Sequence, residues 1–334
     1  MDRQRTDGWS RREFLGGLVL AGAAGLLGLK PESLAVEPPP ETTTIRLAHF
    51  GATCTAPQHV AEDFLKAEGF TEVQYVKTQL ASRTHDSLAL GELDIDIRTI
   101  GLLTTWVDSG DPIVILGGVH TGCYELFGTG QVRTIRDLKG KTVAVPVQGG
   151  AHQIFLSSML AYIGLNPGKD IKWVTHPWAD TMRLLAEGKI DAYLGFPPEP
   201  QELREKQIGH VVVNTTLDRP WSQYFCCMVA GNREFVRQHP VATKRALRAI
   251  LKAIDVCALQ PEHAAHVVVD KGFTQRYDYA LQVMKDIPYG KWAEYNPEDT
   301  VRFYALRLRE AEIIKSSPQN IITEGTDWRF LNEL

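Results

Sequence analysis

Residues 134–152 read T-I-R-D-L-K-G-K-T-V-A-V-P-V-Q-G-G-A-H, and residues 186–200 read A-E-G-K-I-D-A-Y-L-G-F-P-P-E-P. Thr142–Val147 is short, apolar and β-branched, which is the signature of a buried parallel strand. Gln148-Gly149-Gly150 interrupts it. The segment His152–Ile163 then places Phe155, Leu156, Met159, Leu160 and Ile163 on one helical face. Gly164 ends that helix, with Pro167 just beyond. Strand, glycine turn and helix lead to a second strand at Ile171–Thr175, a helix over Asp180–Ala186 and a third strand at Ile190–Phe196, a run of β-α-β units. At the carboxyl end of such a strand, Gly149 and Gly150 offer backbone N–H groups and a helix N-terminus that favours an anion. A plain tight turn is the other reading of the same glycine pair.

The pattern D-L-K-G-K-x-V-A-V-P, the glycine turn, G-L-N-P after the helix and E-G-K-I-D-A-Y resembles the second lobe of periplasmic solute-binding proteins of ABC transporters. The branch is the nitrate/sulfonate/taurine type, which includes binders of thiamine precursors. The resemblance spans roughly residues 44–320. It implies an α/β, two-lobed periplasmic binding protein fold of type II, each lobe a mostly parallel sheet flanked by helices, with the ligand cleft between the lobes. It also implies a non-enzymatic role: capture of a small organic solute, sulfonate- or taurine-like or heterocyclic, and delivery to an ABC permease. No cofactor is implied.

The first 35 residues read as an export leader. Ser10-Arg11-Arg12-Glu13-Phe14-Leu15 is a twin-arginine motif, followed by a Gly- and Ala-rich apolar run from Leu18 to Leu29. That run is short for a membrane span. Ser33-Leu34-Ala35 supplies small residues for cleavage after Ala35. The expected route is the twin-arginine export machinery, the destination the periplasm and the mature state a monomer; an uncleaved anchor is the alternative.

The 334-residue chain has a formal net charge of −4 and is 44% apolar. That balance supports a sizeable core and argues against nucleic acid as a partner. Residues 36–43 form a proline-rich, flexible leader. Residues 44–127 make the first part of lobe 1, residues 128–213 make lobe 2, and residues 214–334 return to complete lobe 1.

Ligands of open α/β sheets bind beyond the carboxyl ends of the strands. Thr44–Ala48 is the first strand, so His49, Thr53 and Cys54 stand at the cleft mouth; His49 reads equally as a structural histidine. Gln58 suits a capping box for the following helix. Ser82–Leu90 reads as a helix. Leu93–Ile100 is a buried strand in which Arg98 needs a partner, from Asp94, Asp96 or a ligand anion. Thr104 begins the next helix at the pocket. Pro112–Val119 leads to His120, Cys123 and Tyr124 at the crossing between lobes. His152, Trp178, Phe196 and Tyr224 complete the ligand-binding set, with Glu199 either facing the ligand or in solvent.

Five cysteines (Cys54, Cys123, Cys226, Cys227 and Cys257) leave at least one thiol unpaired. Adjacent Cys226 and Cys227 on a strand point to opposite faces. His49, Cys54, His59, His85, His120, Cys123 and His152 all lie near cleft segments, which raises a metal-binding periplasmic protein as an alternative. Their spacing matches no motif such as H-E-x-x-H. A further alternative is an enzyme similar to hydroxymethylpyrimidine synthases, which resemble the same branch. In them a lysine and a histidine act where this chain has Arg98 and Leu102, and a cysteine-rich loop falls near Cys226-Cys227. Arginine forms no Schiff base at ordinary pH.

Overall fold

A computed structural model describes residues 37–78 and 87–334. The twin-arginine motif, the apolar run, the cleavage site, His85 and most of the expected helix over 82–90 lie outside the described residues. Residues 87–90 form turns. Residues 39–334 fold as one compact unit, and no helix among the described residues is long and apolar enough to cross a membrane.

Among the described residues, three sheets organise that unit. Strands β1 (Thr44–His49) and β2 (Glu72–Lys77) pair in parallel. Strands β3 (Ile95–Thr99), β4 (Ile113–Thr121) and β10 (Phe225–Asn232) form a second sheet in the order β3-β10-β4, with β10 antiparallel to both neighbours. The third sheet has the order β7-β6-β8-β5-β9, from β5 (Glu125–Gly128), β6 (Thr142–Val145), β7 (Lys172–Thr175), β8 (Ala192–Gly195) and β9 (His210–Asn214). There β6 pairs in parallel with β7 and β8, and β5 runs antiparallel to β8 and β9. The β-α-β reading of the sequence is therefore realised as β6, the helix Ala151–Tyr162, β7, the helix Trp178–Ala186 and β8.

Gln58 joins two of the sheets instead of capping its helix. It is buried; its side-chain N–H donates to the Ala48 carbonyl at 2.8 Å, and its Oε1 accepts the Ile97 N–H at 2.9 Å. The amide thus bridges β1 and β3, a long-range role that a local capping pattern does not disclose. The helix it sits on is divided at Ala61, into Ala56–Val60 and Glu62–Ala67.

The segment expected to be a flexible leader is tied down at Glu41. Its two carboxylate oxygens accept the N–H groups of Val241 and Ala242, each at 2.9 Å. These are first-turn donors of the long helix Pro240–Leu259, which otherwise lack partners and favour an anion. That helix buries Leu247, Ile250 and Ile254 in the core. The helix Pro297–Glu310 is capped by Asn296, whose side chain accepts the Glu298 N–H at 2.8 Å.

The chain passes from the second sheet to the third through residues 122–124, and returns through residues 215–224. Thr215 locks the two crossings together. Its buried hydroxyl oxygen accepts the N–H groups of Cys123 (3.1 Å) and Tyr124 (2.9 Å) and donates to the Tyr124 carbonyl (2.8 Å). Gly122 makes this approach feasible. Its φ is +57°, and a Cβ there would stand 2.4 Å from the Thr215 carbonyl oxygen.

Candidate functional site

A small cavity, about 50 Å³, opens at these crossings. The turn after β1 contributes Phe50, Ala52, Cys54 and Thr55, and β3 with its following helix contributes Ile97, Arg98, Thr99 and Leu102. Cys123 and Tyr124 come from the crossing, Ala151 and Phe196 from the third sheet's loops, and Cys227 from β10. The lining is mostly apolar and aromatic. Tyr124 stacks on Phe155 with centroids 4.3 Å apart and meets Phe196 edge-on at 5.6 Å.

Among the described residues, Arg98 is the one guanidinium on the wall. It pairs with buried Asp96 at 2.8 Å, and its charge lies 5.5 Å from the Phe50 ring centroid. Asp94 serves Arg46 instead, accepting its backbone N–H at 2.7 Å. A buried charge of either sign needs such compensation.

Of the residues expected to contact a ligand, the structure gathers Cys54, Cys123, Tyr124 and Phe196 on one cavity. His120 and His152 lie just behind it. His152 Nε2 is 3.1 Å from Glu199 Oε2, and its ring stacks on Phe196 at 4.7 Å. The same carboxylate oxygen accepts the Phe196 N–H at 3.2 Å, so Glu199 positions the wall. Thr53 binds the Pro197 carbonyl through its N–H at 3.2 Å, tying the β1 turn to the β8 turn.

Other expected contacts lie elsewhere. His49 packs edge-on against Phe273 at 4.7 Å and borders a separate surface groove with Gly51 and Glu202. Thr104 spends its hydroxyl on the Ile100 carbonyl of its own helix. The Gly149 N–H donates to Gln153 Oε1 at 2.6 Å, and the Gly150 N–H to the Val147 carbonyl at 3.1 Å; both donors are thereby engaged within the turn. Trp178 donates its indole N–H to Glu202 at 2.8 Å, and Tyr224 stacks on Phe303 at 4.0 Å; neither borders the cavity.

Phe50, Thr99, Leu102 and Cys227 were not among the expected contacts. Phe50 and Thr99 do lie at carboxyl ends of strands, a position that could have found them. Cys227 was hidden by an irregularity. The register of β10 against β4 shifts between Phe225 and Cys227 and again between Cys227 and Met228. Strict alternation would separate the neighbouring thiols, but this bulge brings Cys226 Sγ and Cys227 Sγ to 4.0 Å.

The thiols form a cluster. Cys123 Sγ is 3.0 Å from Cys226 Sγ. The Sγ atoms of Cys54, Cys123 and Cys227 and a ring nitrogen of His120 lie within 4.8 Å of one another, and all four residues are buried. Hydrogen bonding from Cys123, Cys226 and Cys54 holds the Cys227 thiol well below the ordinary range, whereas burial pushes Cys123 and Cys226 up. Cys257 lies outside this group, in the helix Pro240–Leu259, and burial alone raises its pKa.

The chain belongs to the NMT1-like family, whose family model matches residues 38–269. It is 24% identical over 243 residues to the nitrate/nitrite binding protein NrtA of Synechocystis, covering 65% of this chain and 54% of that one. The chain thus spans about half the length of this relative. It is 23% identical over 256 residues to the 4-amino-5-hydroxymethyl-2-methylpyrimidine phosphate synthase THI5 of Saccharomyces cerevisiae, covering 71% of this chain and 72% of the synthase. The crystal structure of the periplasmic nitrate-binding protein NrtA from Synechocystis superposes with a TM-score of 0.70, at 20% identity and 89% coverage of both chains. The fold is that of the periplasmic solute-binding proteins.

Proposed function

We propose that this member of the NMT1-like family is an extracytoplasmic solute-binding protein that captures a small organic solute and delivers it to an ABC permease. The observation that carries this reading is the cavity at the crossings. Its walls come from both sides, Phe50 and Arg98 from the first two sheets and Ala151 and Phe196 from the third. Contacts of that kind form together when two lobes close, and the residues between them act as a hinge. The lobes in this reading are residues 44–127 with 214–334, and residues 128–213.

Solute chemistry follows from the wall. Three aromatic rings, Phe50, Tyr124 and Phe196, suit a flat heterocycle or an apolar stem. The Arg98 charge is largely spent on Asp96, so the pocket suits a heterocycle or a small zwitterion or sulfonate at least as well as a bare inorganic anion. At about 50 Å³ the cavity holds only a few waters, at roughly 10–15 Å³ each. Entry of a solute therefore requires the lobes to part along the crossings locked by Thr215.

The leader read in residues 1–35 supports a periplasmic destination reached through the twin-arginine machinery, with cleavage after Ala35. A synthase chemistry through an amine nucleophile is not supported, because Arg98 and Leu102 both line the cavity where the sequence resemblance places the synthase lysine and histidine. A thermal-shift screen of the full chain against alkanesulfonates, taurine, aminopyrimidines, nitrate and bicarbonate tests the reading. A saturable rise in melting temperature with one organic class, abolished in Phe196→Ala, is expected; a rise with none overturns it.

A further inference from the structure

We infer that Cys54, Cys123, Cys227 and His120 form a mononuclear transition-metal site, of the thiolate-rich class that takes zinc, at the floor of the cavity. The inference stands on the geometry of these four side chains and does not depend on the solute-binding reading.

Two independent observations support it. The first is convergence. The ligand atoms come from three distant parts of the chain: the turn after β1, the β4 end with its crossing, and β10. They nevertheless lie within 4.8 Å of one another. A tetrahedral ion with metal–sulfur bonds of ~2.3 Å separates its ligands by about 3.8 Å. The cluster, with no ligand atom more than 4.8 Å from another, closes to that spacing by drawing atoms together by at most about 1 Å. Thiolates bound to different irons of a larger cluster would stand further apart, so a single ion fits best.

The second is the histidine. His120 Nδ1 lies 2.8 Å from the Gly122 carbonyl oxygen. A carbonyl only accepts, so Nδ1 carries the proton and Nε2 presents its lone pair. That Nε2 is fully buried and has no hydrogen-bond partner among the described residues. Leaving a buried acceptor unpaired is costly, and a metal ion in the cluster would satisfy it. A backbone carbonyl holding the far nitrogen is the arrangement that orients metal-bound histidines. Small buried cysteines packing against one another would account for the thiols alone, but not for an imidazole lone pair aimed among them.

Three thiolates and one imidazole select a soft or borderline ion over magnesium or calcium. Cys226, 3.0 Å from Cys123 Sγ, stands beside the site. Cys54, Cys123 and Cys227 also border the cavity, so the ion would form part of its floor.

The test is metal analysis of the full chain, followed by anaerobic titration of the reduced protein with zinc and cobalt(II). One equivalent per chain is expected, with cobalt giving thiolate-to-metal charge-transfer bands and zinc displacing it. Cys54→Ser, Cys227→Ser and His120→Ala should each weaken binding at least tenfold, and Cys257→Ser should leave it unchanged. X-ray absorption of the zinc-loaded wild type should report three sulfur neighbours and one nitrogen, a readout that survives if a variant fails to fold. Failure of the reduced wild type to bind zinc or cobalt overturns the inference. So does binding indifferent to Cys54, Cys227 and His120, or a chain isolated with a Cys123–Cys226 disulfide that takes up no metal after reduction.

Discussion

His120 and Gly122, two residues apart at the end of β4, hold each other in place: the histidine Nδ1 lies 2.8 Å from the glycine carbonyl. The turn that permits this has Gly122 at φ +57°, packed against the Thr215 backbone. The same tight turn delivers Cys123 and Tyr124 to the cavity. One glycine thus sets the orientation of a buried imidazole, a thiol and an aromatic wall.

Gly122→Ala should therefore be costly. A left-handed φ disfavours an alanine by about 1–2 kcal/mol, and its Cβ would meet backbone 2.4 Å away, which cannot swing aside. Denaturant unfolding should show a loss of at least about 2 kcal/mol, from conformational strain together with the clash. An unchanged midpoint would show that the crossing is looser than described.

Thr215→Val keeps the side-chain shape and removes the hydroxyl that binds both crossings. The N–H groups of Cys123 and Tyr124 would be left buried without acceptors. At about 1–3 kcal/mol for each unsatisfied group, the expected loss is about 2–6 kcal/mol in urea unfolding. A loss under half a kcal/mol would mean that other acceptors replace the hydroxyl.

His59 should make the fold acid-sensitive. Burial lowers its pKa to about 3, and its ring stacks on Phe273 at 3.6 Å. The folded form keeps the ring neutral, while the unfolded chain protonates it below about 6.5. The stability this group supports is whole above pH 6.5 and is lost as the pH falls towards 3, at up to about 1.4 kcal/mol per pH unit. Between pH 6.5 and 5, before most carboxylates titrate, His59→Phe should flatten the slope of unfolding free energy against pH. Equal slopes in the two proteins would contradict this.

Phe196→Ala removes a wall that touches both Tyr124 and His152. Solute affinity should fall at least tenfold, about 1.4 kcal/mol, in calorimetry with the solute identified by screening. Trp178→Phe, remote from the cavity, should leave affinity unchanged. If the tryptophan variant matters more than the phenylalanine variant, the site lies elsewhere.

Much of the architecture could be read locally. The β6–helix–β7 segment carries its own periodicities, and the helix expected over His152–Ile163 spans Ala151–Tyr162. Asn232 and Asn296, of a residue type that favours caps, accept first-turn N–H groups of the helices that follow them. The short strand β5 and the helix Glu199–Glu205 have no such signal, since one is four residues long and the other opens on prolines. At the site, Cys54, Cys123, Tyr124 and Phe196 were legible because they follow strands or crossings. Cys227 was not, because a bulge in β10 overturns the alternation by which a strand's faces are assigned. Gln58 likewise bridges sheets that only the fold brings together, while Trp178 and Tyr224 satisfy partners that linear order does not name.

The central claim is that a small solute occupies the cavity at the crossings. Native mass spectrometry of the chain isolated from its own cells, followed by denaturation and identification of what is released, tests it most directly. The account predicts one organic molecule per chain, of sulfonate, zwitterionic or heterocyclic type, whose release lowers the melting temperature and which fails to bind Phe196→Ala. A chain that carries no such molecule, and gains no heat stability from any of these classes when they are added back, would contradict it.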